Sequence, residues 1–186
     1  MGTPTSFGTA PTTHATATWA SGIQGTYFAS SYVSGSSQSD SFTGTLLSQA
    51  FTAGKQVVFL LEGGTDVSTL YVSLVLPDST EVLLTTNPQN SNTLLPITYD
   101  TTPYEGQSVR LKLVDSSTAT AWAHLSIDNV QVLTTPAGTY APPLGVPTSP
   151  FYNSDVEQNS WANWFLTGTA FGRRPAADQP GGRQGF

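Results

Sequence analysis

Two short stretches near the middle of the chain restrict its fold more than any others. In Val109-Arg110-Leu111-Lys112-Leu113 apolar and charged residues alternate, so one face is buried and the other wet, as in a strand of an antiparallel sheet. Ala123-His124-Leu125-Ser126-Ile127 keeps that alternation with apolar odd positions, whereas Val130-Gln131-Val132 places its apolar residues on even ones. A strand that faces the core at 127 cannot face it again at 130 unless one residue is inserted. A β-bulge is therefore expected near Asp128-Asn129, presenting Asp128 at the sheet edge. The stretch 99–133 reads as a turn, a strand, a polar loop and a final strand.

The rest of the chain carries the same kind of signal. Strands are expected over 25–32 and 43–51, with a Ser/Gly loop holding Asp40 between them. Gln56–Leu61 (QVVFLL) is a continuous apolar run, which suits a strand covered on both faces, and it ends at Gly63-Gly64. Leu70–Leu76 alternates again, and Asp78-Ser79 turns it into Glu81–Thr85 as a hairpin. Residues 86–93 read as a loop before Leu94–Thr98. No stretch has helical periodicity, so the class is all-β, and short strands at turn-punctuated spacing point to a β-sandwich of jelly-roll type.

At 186 residues the chain suits one well-buried core with an appended segment. The organisation expected is a sandwich body over 1–134, a proline-rich linker over 135–150 and a C-terminal arm over 151–186. The linker holds five prolines, at 136, 142, 143, 147 and 150, and so cannot sit inside a sheet. Acids outnumber bases twelve to six with no basic stripe, so no nucleic-acid partner is expected. There is no cysteine to form disulfides or thiolate metal sites. No apolar run is long enough to cross a bilayer, and no membrane insertion is expected. The N-terminus has neither the basic nor the apolar region of a secretory signal peptide. Gly2 with Ser6 fits the myristoylation pattern only formally, since Pro4 and the lack of a basic patch favour coincidence. The expected location is extracellular or a virion surface, either as a released virion component or as a slice of a longer chain.

The arm contains an echo of the beginning. Thr169-Ala170-Phe171-Gly172-Arg173-Arg174-Pro175 matches Thr5-Ser6-Phe7-Gly8-Thr9-Ala10-Pro11 in its Thr, Phe, Gly and Pro positions. That pattern is what one whole repeat followed by the opening of a second would leave.

Between residues 45 and 132 the chain has Gly63-Gly64 after an apolar strand, Leu70-Tyr71-Val72-Ser73-Leu74-Val75, Tyr99-Asp100-Thr101-Thr102-Pro103-Tyr104-Glu105-Gly106, Val114-Asp115, and Trp122-Ala123-His124-Leu125-Ser126-Ile127-Asp128-Asn129-Val130. In order and spacing these resemble the galactose-binding-like β-sandwich modules found beside bacterial glycosidases such as levanases and in surface repeat proteins. Tyr99 stands where those modules carry Trp, and Ala123 where they carry Gly. Their opening strand resembles not this N-terminus but Asn153-Ser154-Asp155-Val156-Glu157, Trp161 or Trp164, and Thr167–Gly172.

The resemblance implies a non-catalytic module. It implies a body lacking its first strand, whose arm docks by strand addition beside the final strand, on itself or on a copy. Asn153, Val156, Trp161, Trp164, Phe165 and Phe171 are the docking candidates, with the tryptophans as core anchors or as a plug for a partner. It also implies a structural calcium held by Asp128 and Glu157, where the competing reading has Asp128 satisfying a bulge through backbone bonds. The function expected is a structural or interaction module of a multi-copy extracellular or virion-surface assembly. The alternative is a carbohydrate-binding module, with Trp19, Tyr71 and Tyr104 as stacking faces. His124 is expected to pin a loop rather than to catalyse. Glu62, Asp66, Asp100 and Asp115 sit where acids commonly cap turns, so no glycosidase pair, and no enzyme, is expected.

Overall fold

The computed structural model describes residues 12–13, 19–32, 40–134 and 163–168. Its strands are β1 (Thr12–Thr13), β2 (Tyr27–Ser30), β3 (Gly44–Ser48), β4 (Phe51–Thr52), β5 (Gln56–Gly63), β6 (Leu70–Val75), β7 (Glu81–Thr85), β8 (Ser91–Asp100), β9 (Ser108–Asp115), β10 (Leu125–Leu133) and β11 (Trp164–Gly168). One short 3-10 turn, Thr102–Tyr104, joins β8 to β9. The strands form two antiparallel sheets. One has the order β1-β2-β10-β5-β8 and the other β11-β3-β9-β6-β7, with β4 also on β9.

The alternation in β9 sends Val109, Leu111 and Leu113 inward, where they meet Val57, Phe59 and Leu61 of β5 across the core. Tyr99 crosses the same interior. Its ring packs edge-on against Phe59 at 5.1 Å, and its hydroxyl donates to the Val72 carbonyl at 2.7 Å. A residue read as part of a turn motif thus ties one sheet to the other. β5 is buried on both faces, because the segment around Ala20 and Ile23 and the Phe28 side chain cover its sheet from outside. β8, an edge strand, carries Pro96, which lacks the N–H that a central strand would need. It starts at Ser91, inside the polar stretch expected to be loop, where Ser21 forms a bridge with Thr93.

The bulge is where the phase slip placed it. Asp128 pairs with Leu60 but Gln131 pairs with Val58, so β10 carries one extra residue, and Asn129 takes a φ of 50°. Ile127 and Val130 consequently both face the core. The expected edge position of Asp128 is overturned. β10 lies between β2 and β5, so the bulge is interior and Asp128 is buried.

The arm also pairs elsewhere than expected. Trp164–Gly168 runs antiparallel to Ser48–Gly44 at the edge of the six-stranded sheet, not beside β10. β10 already has neighbours on both sides, whereas β3 has β9 on one side only without β11. Trp164 and Leu166 point into the core and Phe165 outward, beneath the Arg110 guanidinium at 5.2 Å from its ring centroid.

Candidate functional site

The site is assembled where the glycine pair at the end of β5 meets the residues leading into β10. A Cβ on Gly64 would lie 1.9 Å from the Trp122 carbonyl oxygen, and one on Gly63 would lie 2.1 Å from that of His124. Only glycine permits so close an approach, and it lets Gly64 N–H donate to the His124 carbonyl at 2.9 Å. Trp122 itself adopts a φ of 56°, a conformation costly for a bulky side chain. The result is a partly exposed Trp122 ring stacked over a buried imidazole.

His124 is the hub. Its Nδ1 is 2.9 Å from Asp40 Oδ1, and its Nε2 is 3.5 Å from Glu62 Oε2, an ionic contact without hydrogen-bond geometry. Glu62 is fully buried. Burial alone would lower the His124 pKa, but the Asp40 hydrogen bond and the adjacent Glu62 and Asp40 carboxylates outweigh it and hold the group at about 9. The ring is thus an imidazolium at neutral pH. Asp115, also buried, is pushed up to about 7 by burial, against the opposing pull of Ser31, the Ser117 N–H and the His124 charge.

Aromatic rings surround this cluster. Trp19 lies edge-on to Tyr32 at 4.8 Å and to His124 at 5.7 Å, while Trp122 stacks on His124 at 6.2 Å and 21°. Together with Asp40 and Asn92 they line an open cavity of about 250 Å³. Chemically this is a small aromatic recess with carboxylate, amide and imidazolium groups at its wall. Such a recess suits a ligand with one apolar face and several hydrogen-bonding groups.

The three sugar-stacking candidates are not brought together. Trp19 lines the cavity. Tyr71 lies on the outer face of the six-stranded sheet beside Glu81, which also holds Lys112 at 2.5 Å and Ser73 at 2.8 Å. Tyr104 packs against the core from the 3-10 turn. Asp66 and Asp100 cap turns, Asp66 accepting from Ser68 and Thr69 and Asp100 from Thr102, and those bonds hold both carboxyls below the usual range. Asp128 accepts from Asn129 N–H on one oxygen and from Gln24 N–H on the other, each at 2.7 Å, so it ties the bulge to the segment before β2. Its expected calcium partner Glu157, and the docking candidates Asn153, Val156, Trp161 and Phe171, lie outside the described residues. Among the described residues no group of three or more acidic, His or Cys side chains is placed to hold a metal.

Trp122, Asp40 and Asn92 were not legible as a site. Their one sequence signal is Trp122 two residues before the buried His124, since the partners come from positions 84 and 32 residues away from His124 by number. Comparison with known proteins finds no family model that matches the chain and no curated protein that matches it.

Proposed function

We propose that the chain is a non-catalytic interaction module, a jelly roll of galactose-binding-like type, that docks through β11 within a multi-copy extracellular or virion-surface assembly. The strand order supports the jelly-roll reading. β2-β10-β5-β8 faces β3-β9-β6-β7, and every connection from β2 to β10 crosses between the sheets except the β6–β7 hairpin and the short β3–β4 step. The docking reading is carried by one observation: β11, remote from β10 in sequence, completes the open edge of β3 over five paired residues and seats Trp164 in the core. That seat is defined by β3 and the core beneath it, so it accepts the strand of the same chain or of a neighbouring copy.

The test compares the full chain with one lacking residues 151–186, by light scattering and circular dichroism. Loss of assembly or of the folded body on truncation supports docking. A truncated body that stays folded, soluble and equally able to assemble rejects it. A second reading, a carbohydrate-binding module, is favoured by the position of Trp19 at the aromatic cavity. Glycan-array binding that vanishes with Trp19→Ala supports it, and a blank array rejects it.

A further inference from the structure

Resting on the second of those readings, we infer that the cavity between Trp19, Tyr32 and Trp122 is a binding site for one neutral sugar ring rather than for a glycan chain. Size sets the first limit. At about 250 Å³ the recess falls below the roughly 300–1,000 Å³ of pockets that enclose drug-sized ligands. A single pyranose is of that scale, and further sugars project into solvent.

Charge sets the second. An anionic sugar meets Asp40 at the wall, the buried Glu62 behind His124, and a chain of net charge −6. A cationic ligand gives up hydration for carboxylates whose charge the His124 imidazolium between them already partly compensates. A neutral polyhydroxyl ring avoids both costs. It lays its C–H face on indole or phenol rings while its hydroxyls bond Asn92 and the Asp40 oxygen not engaged by His124.

The shape of the site is fixed before any ligand arrives. The close Gly64–Trp122 approach and the left-handed Trp122 backbone hold that ring without help from a ligand. Rigid placement of a stacking face lowers the ordering cost of binding.

The experiment titrates the full chain by calorimetry with methyl glycosides of glucose, galactose and mannose, a methyl glucuronide, a disaccharide of any binder, and tetramethylammonium chloride. One or more of the three neutral glycosides is expected to bind, the disaccharide no tighter than its terminal glycoside, and the two ions not at all. Trp122→Ala, in a folded chain by circular dichroism, is expected to weaken binding about tenfold or more. Asn92→Ala is the second variant should Trp122→Ala not fold, and Tyr71→Ala on the opposite sheet is the neutral control. Glycan binding that survives Trp122→Ala and Asn92→Ala but falls with Tyr71→Ala overturns the cavity while leaving the module reading intact. No binding to any glycoside, together with a blank glycan array, overturns both. Binding of either ion in place of the neutral glycosides, or a disaccharide far tighter than its terminal glycoside, overturns the single neutral ring.

Discussion

His124 Nδ1 and Asp40 Oδ1 stand 2.9 Å apart, joining the approach to β10 to the β2–β3 connection 84 residues earlier. With Glu62 near the other ring nitrogen, the imidazolium faces two carboxylates.

This arrangement sets a pH dependence. Burial lowers the His124 pKa, and the two carboxylates more than offset it, leaving about 9 in the folded chain against 6.5 unperturbed. A raised pKa means that the contribution to stability is complete below about 6.5 and is lost as pH rises through about 9. Thermal unfolding of the wild type relative to His124→Gln should lose ground across that interval. The variant, with Glu62 left buried without its cation, should be less stable at pH 6 by on the order of 3 kcal/mol. Parallel profiles for the two proteins would rule the pair out as the source of the dependence.

Asp115 titrates with the same sign at lower pH. Burial raises its pKa to about 7, so the stability associated with its protonated form is full below about 4 and lost as pH rises through about 7. Asp115→Asn keeps an oxygen for the Ser117 N–H, now 3.2 Å from Asp115 Oδ1. It should stabilise the chain at pH 8 by about 1–3 kcal/mol and give no gain at pH 4, as read by urea unfolding at both values.

The bulge yields a sharper contrast. Asn129 holds a φ of 50° and accepts from Gln131 Nε2 at 2.9 Å. Asn129→Gly removes that bond but tolerates the backbone, whereas Asn129→Val meets both losses. The expected costs are about 1 and about 3 kcal/mol. Deleting Asn129 should cost no more than Asn129→Val, because Ile127, Val130 and Val132 then fall in simple alternation and all keep the core face. Loss of a cooperative unfolding transition in the deletion chain would contradict the register described here.

In β11, neighbouring aromatic residues should differ greatly in cost. Trp164→Ala empties a core position and should destabilise by about 3–5 kcal/mol. Phe165→Ala loses an exposed ring and its contact with Arg110, about 0.5–1 kcal/mol. Equal effects in chemical denaturation would show that the strand does not occupy its seat on β3.

Much of the fold was legible because it rests on local alternation. The period in 109–113, the continuous run 56–61 and the hairpin at Asp78-Ser79 each match a strand or turn in the structure. Even the bulge could be located, because an inserted residue leaves a phase error that adjacent side chains record. The site was legible only in pieces. Trp19 could be named as an aromatic face and His124 as a loop pin, but nothing local says that Asp40, Asn92 and Trp122 share a cavity.

What the sequence by itself determined is therefore the list of strands, their inward faces and the position of the slip, since a two-residue period is a property of adjacent residues. Which strand lies at an edge was decided only by the tertiary structure. Asp128 carries the same bulge wherever β10 sits, but enclosure between β2 and β5 turned an expected outward carboxylate into a buried acceptor for Gln24 and Asn129. The arm followed the same logic: strand addition needs unpaired backbone groups, and β3 had them where β10 did not.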